Sequence, residues 1–159
     1  MDTRADEGRQ ALEALYADQA QRLGRALLGY TGDPDIASDC MSEAFAEALR
    51  QWERIDTPEG WLWRVAFRLA GKELSRRRRP HPAQASTYVM DERALQVTLA
   101  LAKLSGRQRA VVVLHYYIGY TTQEIGDTLG MSASTASVHL HRGRRRLHQL
   151  LGEDVNDDA

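Results

Sequence analysis

Between residues 132 and 146 the chain places Ser134, Thr135, Ser137, Val138 and His139 just ahead of Arg142, Arg144, Arg145 and Arg146. Guanidinium groups clustered along a helix neutralise phosphates. Short hydroxyl side chains near a helix start hydrogen-bond base edges or phosphate oxygens, and an apolar branched side chain such as Val138 suits a thymine methyl. A second basic series, Arg64, Arg68, Lys72 and Arg76, recurs every four residues and runs into Arg77, Arg78 and Arg79. That spacing draws a positive stripe along one helix side, as suits a helix lying against nucleic-acid backbone. No Ser/His/Asp order, phosphate loop or pair of acids stands out, so neither catalysis nor a cofactor is expected. His139 and His141 point to different helix faces with no cysteine or carboxylate cluster beside them, and no metal site is expected either.

Charge is segregated along the chain although the net value is only -1. Residues 1–60 hold 6 lysines and arginines against 13 acids, whereas residues 61–80 hold 7 against the single Glu73. Two basic clusters on an otherwise acidic chain point to two separate contacts with a polyanion, the plainer alternative being solvated helix ends. The only cysteine is Cys40, which rules out an internal disulfide and fits a reducing compartment. No apolar run reaches the roughly 20 residues of a membrane span, and the acidic start is unlike a signal peptide. The expectation is a soluble, cytoplasmic protein with no membrane insertion.

The elements that must carry these side chains are helical throughout. Leu12, Leu15, Tyr16, Leu23, Ala26, Leu27 and Tyr30 share one face of a first helix that stops at Gly29 and Gly32. Asp33-Pro34 is a cap followed by proline at the first helical position, and opens a helix with the ladder Ile36, Ala37, Cys40, Met41, Ala44, Phe45, Ala48, Leu49 and Trp52. Cys40 sits inside that ladder and reads as packing. Thr57-Pro58 repeats the cap-plus-proline signal ahead of Trp61, Leu62, Val65, Ala66, Leu69 and Leu74.

Pro80 and Pro82 end that helix, and the change to Pro, Ala, Gln, Ser and Thr up to about Met90 reads as a linker. Leu95, Leu99 and Ala102 then resume the helical period before Ser105-Gly106. The run Ala110-Val111-Val112-Val113-Leu114 is rich in β-branched residues, but the capping Ser105 and the lack of a partner strand favour a helix. From Thr121 or Thr122 through Leu129, across Gly130-Met131-Ser132, and on through Ala136, Leu140, Gly143 and Leu147, the pattern is that of a helix-turn-helix. The fold class expected is all-α: two small helical domains, residues 9–79 and 93–152, joined by a short linker at residues 80–92, the C-terminal one a helix-turn-helix.

Several of these stretches together resemble the extracytoplasmic-function sigma factors of the sigma-70 family, over roughly residues 11–152. Tyr30-Thr31-Gly32-Asp33 followed by Ala37 to Phe45 is similar to region 2.1 to 2.2 of that family. Trp61-Leu62-Trp63-Arg64-Val65-Ala66 with its arginine run is similar to region 2.4, and Leu104 to Arg109 with the helix-turn-helix resembles region 4. The resemblance implies a protein that directs promoter-specific transcription initiation by binding core RNA polymerase at the largest-subunit clamp and at the flap. It implies promoter DNA as the second partner, and a possible anti-sigma factor or other regulator. Polymerase binding falls on Asp39, Glu43 and Glu47, an acidic face for a basic partner surface. Contacts with the -10 element fall on Trp63, Arg64, Phe67, Arg68, Lys72 and Arg76, and with the -35 element on Ser134, Thr135, Ser137, Val138, His139, Arg142, Arg144 and Arg145. The segment Glu53 to Gly60 corresponds to the loop that captures a flipped base. Arg68 stands where the family commonly has Asn and Ser137 where Lys or Arg is common, which implies altered promoter preferences. Two other readings remain open: an autonomous helix-turn-helix regulator that needs no polymerase, and a sigma-like module that chiefly binds another protein.

Overall fold

Five helix starts in this chain are set by side chains that satisfy the first free backbone N–H groups. The computed structural model describes residues 3–77 and 91–152. The expected linker lies outside them apart from Asp91 and Glu92, as do Arg78 and Arg79. The chain divides into two compact units, Met1–Arg78 and Arg79–Ala159, and no strand occurs among the described residues.

In the first unit α1 (Thr3–Thr31), α2 (Pro34–Gln51) and α3 (Pro58–Arg76) pack against one another. The first helix runs through Gly29 and ends at Gly32, whose φ of +69° is the left-handed conformation that glycine adopts without strain. A single glycine inside a helix this long weakens it by only about 1 kcal/mol, so Gly29 is no stop. Asp33 caps α2 by accepting hydrogen bonds from the backbone of Asp35 at 2.8 Å and Ile36 at 3.3 Å. Pro34 occupies the first turn as expected. Thr57 behaves differently, because α3 starts at Pro58 without a capping bond from the Thr57 side chain. Leu23, Ala26, Leu27, Ala44, Leu62, Ala66 and Ala70 form the fully enclosed centre. Gln19 joins them at 2% exposure and accepts a hydrogen bond from the Trp63 indole N–H at 2.9 Å. Tyr30 stacks on Phe67 with ring centroids 5.2 Å apart, and Phe67 on Trp63 at 6.1 Å.

The second unit contains α4 (Glu92–Ala102), α5 (Gly106–Val112), α6 (Thr122–Leu129) and α7 (Ala133–Leu151). Asp91 caps α4 by accepting from Ala94 N at 2.7 Å. This helix buries Ala100 but leaves Leu95 and Leu99 on its exposed side. Ser105 and Gln108 form a reciprocal capping box at the start of α5, and Thr121 and Glu124 form another at the start of α6. The β-branched run is helical and entirely buried from Ala110 to Leu114, continuing as a π-helical segment, Val113–Ile118, that Gly119 ends at a φ of +83°.

Two glycines bring backbones together in this unit. A Cβ on Gly126 of α6 lands 2.5 Å from the backbone oxygen of Met131, and a Cβ on Gly143 of α7 lands 2.8 Å from a methyl of Val112. Gly126→Ala is expected to destabilise the second unit by roughly 1–3 kcal/mol, because backbone rather than a flexible side chain has to yield. Gly60→Ala, which meets nothing within 4 Å, stays within about 0.5 kcal/mol of the parent. Chemical unfolding of the full chain followed by circular dichroism checks both; equal stability of the two variants contradicts the close approach at Gly126.

Candidate nucleic-acid interface

The basic stripe of α3 exists as a surface. Arg64, Arg68, Lys72 and Arg76 are all exposed, carried on successive helical turns. Arg76 donates to Glu73 at 3.1 Å, and Arg77 spans Glu73 at 3.1 Å and Asp33 at 3.6 Å, so the C-terminal end of the stripe is partly balanced from within. Trp63 and Phe67 are corrections. Both were expected to meet the -10 element, yet they are 1% and 2% exposed and belong to the stack with Tyr30 inside the first unit. Their positions in α3 face α1 and α2, and large aromatic side chains there contribute more by burial than by waiting at the surface for a base.

On α2 the acidic residues also share a face. Asp39 and Glu43 are exposed and Glu47 is half-buried. Arg50 sits among them, donating to Glu43 at 2.8 Å and also to Glu47. Hydrogen bonds from Arg50 and Gln51, and then the charges of Arg50 and Arg68, hold the Glu47 carboxyl below its ordinary range. The face is therefore less negative than three carboxylates alone imply, with Asp39 outside these ion pairs. The i+3 and i+7 spacing of Arg50 from Glu47 and Glu43 places it on the same side of α2 as these acids.

A groove of about 350 Å³ lies between α2 and α3, lined by Ile36, Asp39, Cys40, Glu43, Leu69, Glu73, Arg76 and Arg77. The Cys40 thiol is buried, and burial first, then the charges of Glu73 and Asp39, push its pKa up and disfavour the thiolate. A thiol held neutral in this way is a packing residue. Among the described residues no group of three or more histidine, cysteine, aspartate or glutamate side chains is placed to hold a metal ion.

In the second unit α6, the turn at Gly130 and α7 form the helix-turn-helix. Gly130 adopts a φ of +72°, and Ser132 caps α7 by accepting from Thr135 N at 3.1 Å. The Ser132 hydroxyl also lies 2.9 Å from the Thr135 hydroxyl and 3.2 Å from that of Ser134, gathering three hydroxyls at the free N–H groups of the first turn. Ala136 and Gly143 are buried and Leu140 and Leu147 half-buried, so this ridge is the inward one. Ser134, Thr135, Ser137, Val138, Arg142, Arg144 and Arg145 are exposed. His139 is half-buried, with Nδ1 enclosed and lacking a hydrogen-bond partner, which puts it at the flank of the exposed face. His141 and Gln149 are exposed as well. Counting from Val138, the helical period of 3.6 residues brings both near the outward ridge.

Comparison with known proteins agrees with both units. The Sigma-70 region 2 model matches residues 15–80, and the Sigma-70, region 4 model matches residues 94–147. The probable ECF RNA polymerase sigma factor SigI of Mycobacterium tuberculosis is 33% identical over 138 residues, covering 74% of this chain and 48% of SigI. The chain thus spans about half the length of that relative. The ECF RNA polymerase sigma factor SigL of the same species is 30% identical over 158 residues, covering 89% of each chain. Among solved structures, CnrH in complex with the cytosolic domain of CnrY matches with a TM-score of 0.72 at 23% identity, covering 94% of this chain and 96% of that one. The sigma factor RpoE, solved with the anti-sigma factor NepR from Bartonella quintana, matches with a TM-score of 0.64 at 20% identity over 92% and 97% of the two chains. These two likenesses concern the fold. Two family models in the expected order, and SigL aligned over nearly its whole length, carry the conclusion that the chain belongs to the extracytoplasmic-function (ECF) group of the sigma-70 family.

Proposed function

We propose that the protein directs promoter-specific transcription initiation as a sigma factor, by binding core RNA polymerase and contacting the -10 and -35 elements of the promoter. The observation that carries this reading is the pairing of two different exposed surfaces on one chain. One is the stripe Arg64, Arg68, Lys72 and Arg76 of α3, and the other is the outward face of α7. A helix-turn-helix regulator acting alone has no need of the first.

The roles divide by chemistry. The α3 stripe tracks phosphates of the opened -10 region through Arg64, Arg68, Lys72 and Arg76, with Trp63 and Phe67 holding the helix from inside. The α7 face meets the -35 duplex, Ser134, Ser137, Val138 and Arg142 reaching into the groove. Thr135, Arg144 and Arg145 hold the backbone, and His139 flanks them. Asp39, Glu43 and Glu47 meet a basic surface of the polymerase clamp, and the second unit meets the flap. Strand opening uses binding energy gained on unpaired bases, so no nucleotide hydrolysis and no cofactor is required of this chain. Residues 9–79 and 93–152 act as the two functional domains joined through residues 80–92. A regulator of the anti-sigma kind is a further partner, as CnrY and NepR accompany the two solved relatives. The protein works in the cytoplasm, where the polymerase is; no described helix is long and apolar enough to cross a membrane.

Three measurements on the full chain test this. Asp39→Ala and Glu43→Ala are each expected to weaken binding to purified core polymerase while leaving isolated duplex binding intact. Asp39→Ala has the larger effect, because Glu43 is already paired with Arg50. Core binding equal to the parent in both variants contradicts the assignment. Lys72→Gln is expected to lower the salt dependence of binding to a single-stranded -10 oligonucleotide by about 0.7 in log-log slope, the contribution of one phosphate contact; an unchanged slope removes Lys72 from the interface. Arg142→Ala is expected to weaken -35 duplex binding by roughly 5- to 150-fold if it reads a guanine edge, with a loss spread evenly over all sequences if it holds only phosphate.

A further inference from the structure

Val138 is the position at which the outward face of α7 is out of keeping with a merely solvated surface. It is 47% exposed although β-branched and wholly apolar, and it lies between Ser134 and Arg142 on successive turns. The ridge on the other side of the same helix is tied down: Ala136 has no exposed surface, and Gly143 is pressed against Val112. The helix therefore has no freedom to roll and bury Val138 within its own unit. Resting on the reading of α7 as the promoter-reading helix, we infer that Val138 selects a thymine in the -35 element by packing on its 5-methyl group, with a neighbouring guanine read by Arg142.

The argument is one of chemical elimination. In the major groove thymine alone among the four bases offers a methyl group, while the others present donors and acceptors. A valine has no atom with which to satisfy those polar groups, so setting it against adenine, guanine or cytosine leaves a desolvated donor or acceptor without a partner. The same side chain thus favours thymine and disfavours the alternatives. A β-branched residue in a helix is held in one side-chain rotamer, so little conformational freedom is lost when the contact forms. Arg142 is exposed and supplies the forked donors that match guanine O6 and N7.

The test uses the full chain bound to core RNA polymerase. Duplexes are first selected from a library randomised over the -35 element, and the preferred duplex is then remade with deoxyuridine replacing each thymine in turn, which removes only the methyl group. At one thymine the replacement is expected to weaken binding roughly fourfold, the equivalent of one buried methyl group. The loss is expected to vanish in Val138→Ala, which substitutes an exposed position with a good helix former, and to persist in Arg142→Gln. A selected sequence that is insensitive to uridine everywhere, or equally sensitive in parent and Val138→Ala, overturns this inference and leaves the sigma-factor reading standing. Failure to select any sequence overturns both. A Val138→Ala variant that binds core polymerase more weakly in the absence of DNA overturns it as well, since the valine then belongs to a protein interface.

Discussion

The rotation of α7 about its own axis is the constraint on which the second unit depends. Gly143 allows the helix to approach α5 so closely that a Cβ would lie 2.8 Å from a Val112 methyl, and Gly126 brings α6 up to the Met131 backbone before α7 begins. Close packing of this kind resists small displacements, because neighbouring groups have no void into which to move. Once the inward ridge is set, the outward one follows from the 3.6-residue period, and Ser134, Val138 and Arg142 come out together. Caps complete the arrangement. Thr121 with Glu124 starts α6 and Ser132 starts α7, while in the connecting turn the Gly130 and Met131 N–H groups both donate to the Gly126 carbonyl.

In the first unit the corresponding constraint is aromatic. Tyr30, Phe67 and Trp63 stack through the interior, and the Trp63 indole reaches Gln19 on α1. These contacts fix the turn of α3 with its basic side outward. The aromatic residues support the basic face from within and form no part of it. A buried amide between apolar neighbours is tolerable because a hydrogen bond meets its carbonyl oxygen, and it specifies how α1 and α3 align more sharply than apolar contact alone.

Opposite charges sit close together on this unit without cancelling. Arg50 engages Glu43 and Glu47, while Glu73 engages Arg76 and Arg77, all at partly or largely exposed side chains. Exposed pairs of this kind contribute little to stability and are screened by salt. What remains after pairing is a field negative along Asp39 and Glu43 of α2 and positive along Arg64, Arg68 and Lys72 of α3, so the two helices present surfaces of opposite sign.

Much of this was readable in one dimension. Asp33-Pro34 announced α2, Ser132 announced α7, and the spacing of Ala136, Leu140, Gly143 and Leu147 already defined the inward ridge. Such signals are local: they depend on backbone donors within one turn and on a period that any helix shares. The four-residue spacing of Arg64, Arg68, Lys72 and Arg76 was legible for the same reason. Trp63 and Phe67 were not, because an aromatic residue beside a basic stripe suits a base as well as a core, and only the surfaces of α1 and α2 decide between them. Gln19 was not legible because its partner, Trp63, lies on another helix and comes beside it only in the folded unit. Periodicity and capping thus determined which helices form and which sides of α3 and α7 are polar. Packing decided which large side chains the core claims, since burial is a property of all the helices in a unit together.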